Sequence, residues 1–302
     1  MRTKTRITAG LIGLLLLAAS TGCGSSGGTA RKAAPKANTT ECKEKSGGGA
    51  VVDAIRKKGK LVVGTKFDQP LFGQQNAGNN KIEGFDAEIG RRITCAIFGP
   101  KNIESHVDFM STPSKQRETS IQDGKVDIVI ATYTINDERK KLVDFAGPYY
   151  VAGQDILVKK ANTDIKSVTD LNGKKVCSAT GSTSIKNLTE KAPQADTSIT
   201  FDGYSDCVTA LLDGRVDAVT TDDSILLGFI SQHPNDLKLV KSPFTKEPYG
   251  IGLKKGENEF RTYLNDVLEQ SFNDGTWAKA WETQVTPATG QKAPQKPTID
   301  RY

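Results

Sequence analysis

The chain has 302 residues, enough for two modest domains, with five cysteines, two histidines and a formal charge of +6. Eight of the 41 Lys/Arg but only two of the 35 Asp/Glu fall within residues 1–45, so the surplus belongs to that segment and residues 46–302 are neutral. A body without excess positive charge has nothing with which to hold a polyanion, which excludes a general nucleic-acid binder.

Arg2, Lys4 and Arg6 followed by the apolar Leu11–Ala19 form a leader whose core is too short to span a bilayer as a mature helix. Ser20-Thr-Gly-Cys23 resembles a bacterial lipoprotein signal, in which Cys23 is lipidated. Ser20 stands where such signals usually carry Leu, and an ordinary secretory peptide is the other reading. Either way the folded body lies outside the cytoplasmic membrane. In an oxidising compartment the remaining four cysteines read as disulfides. Cys177 and Cys207, thirty residues apart in one region, are paired, and Cys42 with Cys95 follows by elimination. No C-x-x-C pair occurs and only His106 and His233 could assist, so no metal site and no cofactor is expected.

Residues 24–49 are Gly, Ser, Ala, Thr, Lys and Pro with almost nothing apolar, a solvated tether. A short helix over Val51–Lys58 and a buried strand over Lys60–Thr65 come next, followed by a loop through Lys66–Phe72. Gly84–Ile93 reads as an amphipathic helix with Phe85, Ile89 and Ile93 on one side. A strand over 103–109, a helix over Thr112–Asp123 and a strand over Val126–Ile130 continue the alternation, which points to a parallel sheet with covering helices.

The strand ending at Ile130 delivers Thr132 and Thr134 to a loop, and Asn136/Asp137 are good caps for a short helical turn carrying Arg139. Hydroxyls, free backbone N–H groups and a guanidinium gathered at one strand tip describe a cup for a carboxylate. The same residues also describe a surface turn with a solvated arginine. Farther on, strands are expected at Gln154–Val158, Lys175–Ser178, Val216–Thr220 and Glu247–Leu253. Helices are expected after Thr180, over Asp206–Asp213 and Glu257–Asn273, and about Trp277 and Trp281. Gly124-Lys-Val-Asp-Ile-Val-Ile130 and Gly214-Arg-Val-Asp-Ala-Val-Thr220 repeat one unit, which fits two similar α/β lobes with binding loops at the strand ends.

Six segments, in this order and spacing, resemble the extracytoplasmic solute-binding proteins of polar amino-acid ABC importers, family 3, over about residues 55–285. They are Lys60–Thr65, Gly84-Phe-Asp86, Thr134–Phe145, Ser167–Lys174, Thr180-Gly-Ser-Thr183 and Gly214–Val219. The resemblance implies an α/β fold of two Rossmann-like lobes joined by a hinge, the periplasmic-binding-protein type II fold. Its expected divisions are a signal peptide over 1–22, the tether over 23–49, lobe 1 over 50–149 and 246–286, lobe 2 over 150–245, and a disordered tail over 287–302. It implies a monomer that captures an amino acid by closing and presents it to membrane permease subunits, itself held to the cell membrane by a lipid anchor.

By position, Arg139 matches the arginine that clamps the ligand's α-carboxylate, helped by Thr134, with Ser182 and Thr183 closing from lobe 2. Asp222 matches the acid that holds the α-ammonium, shared with the carbonyl of Thr132. As a residue alone, Asp222 reads equally as a helix cap in Thr221-Asp-Asp-Ser224. Lys66 and Arg117 would select a second carboxylate, so glutamate is expected, then aspartate; solvated surface charges are the other reading. The Lys66-Phe-Asp-Gln-Pro70 segment looks like glutamate-type members from Gram-positive actinobacteria. Tyr249 could reach the ligand and Tyr204 could cover it; a place in the core is the other reading for both. The alternatives are a binding protein for glutamine or another polar amino acid, or a secreted dehydratase on the same fold. A dehydratase would need an acid or base in the cleft, and neither histidine falls near the cup, so no enzyme is expected.

Overall fold

The structure, a computed structural model, describes residues 42–302. The leader, Cys23 and the tether as far as residue 41 lie outside the described residues.

Two sheets organise the chain. Helix α1 (Gly49–Lys58) leads into β1 (Leu61–Thr65), and a small antiparallel sheet follows from β2 (Asp68–Gln69), β3 (Gly73–Gln75) and β4 (Ile82–Glu83). Helix α2 (Phe85–Phe98) buries Phe85, Ile89, Ile93 and Ile97, one apolar stripe at four-residue spacing, in the core that also holds Leu61, Val63 and Ile128. Next come α3 (Ile103–His106), β5 (Val107–Ser111), α4 (Arg117–Gln122), β6 (Ile128–Val129), α5 (Asp137–Lys140) and β7 (Asp144–Ala152). The strand expected over 103–109 is therefore a helical turn followed by a strand displaced toward the C-terminus.

The second sheet begins with β8 (Gln154–Lys159) and β9 (Val176–Cys177), then α6 (Thr183–Lys191), α7 (Tyr204–Leu212), β10 (Ala218–Asp222), α8 (Asp223–Gln232) and β11 (Leu237–Leu239). The chain then returns to the first sheet as β12 (Glu247–Leu253), with α9 (Asn258–Asn273), α10 (Thr276–Gln284) and α11 (Thr286–Thr289) after it. The first sheet runs β5-β1-β6-β12-β7 and the second β11-β8-β10-β9; with their helices they are lobe 1 and lobe 2. Neither is purely parallel. β12 runs antiparallel to both β6 and β7, because a chain returning from lobe 2 enters from the hinge end. The hinge comprises the β7–β8 link at Gly153 and the segment leading into β12.

The repeated Gly-basic-Val-Asp unit does the same thing in each lobe. Gly124 and Gly214 end their helices at φ 68° and 77°. Asp127 then accepts the Val62 N–H at 2.7 Å and Asp217 the Lys175 N–H at 2.8 Å, each pinning the neighbouring strand.

Two disulfides bind the elements, Cys42 to Cys95 on α2 and Cys177 of β9 to Cys207 of α7. The tail expected to be disordered lies along lobe 1 instead. Ala293 and Ile299 pack on its core, the Asp300 N–H donates to the Gly147 carbonyl at 2.8 Å, and the Tyr302 hydroxyl accepts from the Phe145 N–H at 2.9 Å. These contacts cover the outer edge of β7, a row of backbone groups that the sheet leaves unpaired.

Candidate ligand-binding site

Between the lobes lies a small cavity, lined from lobe 1 by Ser114, Arg117 and Thr132 and from lobe 2 by Ser182, Thr183, Ser184, Tyr204, Thr221, Asp222 and Ile225. Thr132 is the residue most constrained by the fold. It sits at φ 45°, in the left-handed region that side chains other than Gly rarely adopt, and two groups hold it there. The Asp86 carboxylate accepts its N–H at 2.8 Å, and its hydroxyl lies 3.0 Å from Gln69 Oε1. Asp86 also accepts the Tyr149 hydroxyl at 2.7 Å. Burial pushes its carboxyl up to about 7 against the pull of those two hydrogen bonds.

Three cations gather on the lobe 1 side. Lys66 and Arg117 are only 4% and 2% exposed, yet among the described residues neither has a carboxylate within 4.0 Å. Lys66 donates to Ser114 Oγ at 2.9 Å; burial, then the Arg117 charge, holds its amine well below the usual lysine range. Arg117 lies 4.3 Å above the Tyr133 ring and donates to the Ala131 carbonyl at 3.1 Å. Arg139, 4.9 Å from the same ring, donates to the Thr134 carbonyl at 2.8 Å and pairs with Glu118 at 3.3 Å. Burial and then Arg117 bring its guanidinium down to about 10. Arg139 does not line the cavity itself. Its Nη2 lies 3.5 Å from the carbonyl of Gly181, next to Ser182, which does. Asn136 caps α5 by accepting the Arg139 N–H at 2.9 Å, which fixes where that side chain starts.

On lobe 2 the hydroxyls of Ser182 and Thr183 are already engaged. Ser182 caps α6 by accepting from the Ile185 N–H at 3.1 Å, and Thr183 donates to Glu247 at 3.0 Å. What the loop leaves free is the backbone N–H of the first turn, which has no acceptor within a helix. Asp222 ends β10 with one oxygen accepting the Tyr249 hydroxyl at 2.5 Å, while its Oδ1 is buried without a partner. Burial, then the nearby Glu247, pushes its carboxyl up to about 8. Tyr249 is fully buried behind Asp222 and reaches the site only through that contact.

The structure thus brings Arg117, Thr132, Ser182, Thr183 and Asp222 to the cavity wall, with Lys66 behind Ser114, Tyr249 behind Asp222, and Arg139 and Thr134 farther back. Sequence reasoning missed Ser114, Ser184, Thr221 and Ile225 on the wall, and Glu118 and Glu247 behind it. The Thr221-Asp-Asp-Ser224 cluster was the only signal for any of them. The unpartnered Oδ1 of Asp222 and the Arg117 guanidinium border one hydroxyl-lined space, which suits a small dipolar molecule with a positive and a negative end.

Two curated relatives share most of the length. One is the ABC transporter glutamine-binding protein GlnH of Bacillus subtilis, 41% identical over 233 residues, or 77% of this chain and 83% of that protein. The other is the glutamate-binding protein GluB of Corynebacterium glutamicum, 39% identical over 247 residues, or 80% and 83%. Among solved structures, an ancestral arginine-binding protein bound to arginine is 40% identical with a TM-score of 0.69, covering 75% of this chain and 98% of that one. Residues 61–283 match the family model for bacterial extracellular solute-binding proteins, family 3, and the chain belongs to that family.

Proposed function

We propose that this chain is the substrate-binding lipoprotein of an ABC importer, taking glutamate, and aspartate less tightly, between its lobes and presenting it to the permease. Cys23 is its lipid attachment and it works as a monomer. The observation that carries glutamate is the pair Lys66 and Arg117: two buried neighbouring cations with no carboxylate within 4.0 Å among the described residues. Burying an unpaired charge costs several kcal/mol, and a ligand bringing its own carboxylate offsets that cost where a neutral side chain does not. The α-carboxylate is assigned to Arg139 and the first-turn N–H groups of α6. The α-ammonium is assigned to the free Oδ1 of Asp222 and the Thr132 carbonyl.

One observation favours glutamine. GlnH is as similar a relative as GluB. Calorimetric titration of residues 42–302 against the twenty amino acids separates the two. L-glutamate binding more tightly than L-glutamine supports the proposal; the reverse order overturns its choice of substrate. In the same assay Arg139→Ala should weaken every amino acid by on the order of 100-fold or more. Lys66→Ala should instead cost glutamate about 10-fold or more and leave glutamine nearly unchanged. Equal losses from both would refute this division of roles.

A further inference from the structure

The segment after Lys66 meets lobe 2 outside the cavity. Asp68 Oδ2 accepts from the Ser205 N–H and from the Ser205 hydroxyl, both at 3.3 Å. Two residues on, the Pro70 carbonyl approaches α8 so closely that a β-carbon on Gly228 would stand 2.3 Å from its oxygen. β2 is thus wedged between α7 and α8. Gly203, just before α7, has φ −114°, a conformation open to any residue, so its backbone does not demand glycine. A β-carbon at 203 would lie 2.6 Å from Asp68 Oδ2, so a side chain there displaces that carboxylate from its place beside Ser205.

The bonds from Tyr249 and Glu247 of β12 to lobe 2 lie beside the hinge, and away from it the exposed cross-lobe ion pairs are weaker candidates for holding the lobes shut. The Lys115–Asp202 and Glu138–Lys186 pairs are 2.8 Å and 2.6 Å long but well exposed, and exposed pairs are worth little. Asp68 is half-buried and meets the first turn of a nine-residue helix, where N–H groups lack acceptors and negative charge is favoured.

We propose that Asp68 is the positioning residue of cleft closure: lobe 2 docks onto it through Ser205, and this contact sets how long a bound amino acid stays. Because Asp68 does not line the cavity, its effect falls on the closed state and not on entry. It is independent of which amino acid binds.

The experiment measures association and dissociation by stopped flow, with L-glutamate, or L-glutamine should that bind more tightly. Asp68→Ala alone is ambiguous, since the Asp68 charge also supports the Lys66 ammonium. Gly203→Ala breaks the contact from lobe 2 and leaves lobe 1 intact. It should raise the dissociation rate about 10-fold with association changed less than about 2-fold, and Ser205→Ala should follow in the same direction by less. The thermal midpoint of the ligand-free protein should not move. Gly203→Ala added to Asp68→Ala should change the dissociation rate no further, whereas two unrelated lesions multiply. A dissociation rate equal to wild type in Gly203→Ala, a loss confined to association, or multiplying effects in the double variant would each overturn the proposal.

Discussion

Asp222 carries the sharpest chemistry of any single residue. Its carboxyl, pushed up to about 8 by burial and Glu247, keeps a proton that the unfolded chain loses near 4. Between those values the unfolded state binds fewer protons than the folded one, so this group lowers the stability of the ligand-free protein as pH rises through that window. An ammonium at Oδ1 reverses the preference and expels the proton. Amino-acid affinity should therefore rise between pH 6 and pH 8, approaching about 10-fold per unit at its steepest, with proton release on binding. Calorimetry in buffers of different ionisation enthalpy reads the release, and Asp222→Asn should abolish both the release and the slope. Asp86, pushed up to about 7, has the same sign for stability, but it is spent on Thr132 and Tyr149 and stays untouched by that substitution. Both acids stand in segments visible in the sequence, whereas Glu118 and Glu247 do not announce themselves. A carboxylate that neutralises an arginine or tunes another acid from behind is set by three-dimensional approach, and its spacing along the chain carries no mark of it.

Among the elements, those with strong local codes were legible: the α2 stripe, the Asn136 cap of α5, and the paired Gly-basic-Val-Asp units. The misses have local causes. Ile103 and Val107 sit four apart and serve a helical turn as well as a strand, so the strand was set too early. β7 runs through Gly147-Pro148, ahead of the strand expected from Gln154, because the Phe72, Phe85 and Trp281 rings pack on Tyr149 and Tyr150 and the Trp277 indole N–H donates to the Tyr149 carbonyl. The tail is rich in Pro, Lys and Gln, and average composition hides its few anchors. Tyr302 lies between Lys140 Nζ at 4.0 Å and Arg261 Cζ at 4.2 Å, and Asp300 pairs with Lys140 at 3.1 Å. Deleting residues 291–302 should cost about 2–3 kcal/mol, from a half-buried Ile299 and the two bonds to β7. A lowered urea midpoint at unchanged slope is the expected reading; an unmoved midpoint would show the strap is dispensable.

At the scale of the whole molecule, binding and stability are one equilibrium. A ligand that grips both lobes favours the folded closed form, and at 100 times its dissociation constant adds about 2.7 kcal/mol. Scanning calorimetry should show the thermal midpoint climbing with glutamate concentration, and climbing far less in Arg139→Ala. The two-lobed α/β fold followed from the family pattern. The closeness of the lobes at Asp68 and Gly203 did not, since no repeat or periodicity records which loop of one lobe faces which helix of the other. The Cys42–Cys95 bond adds a mechanical consequence. A pull arriving at Cys42 is taken up by α2, where the Lys45 N–H also donates to the Ala96 carbonyl, before it reaches β7, β8 or β12. Under the proposed lipid anchoring, lobe 1 is then the leashed jaw and lobe 2 the one that swings.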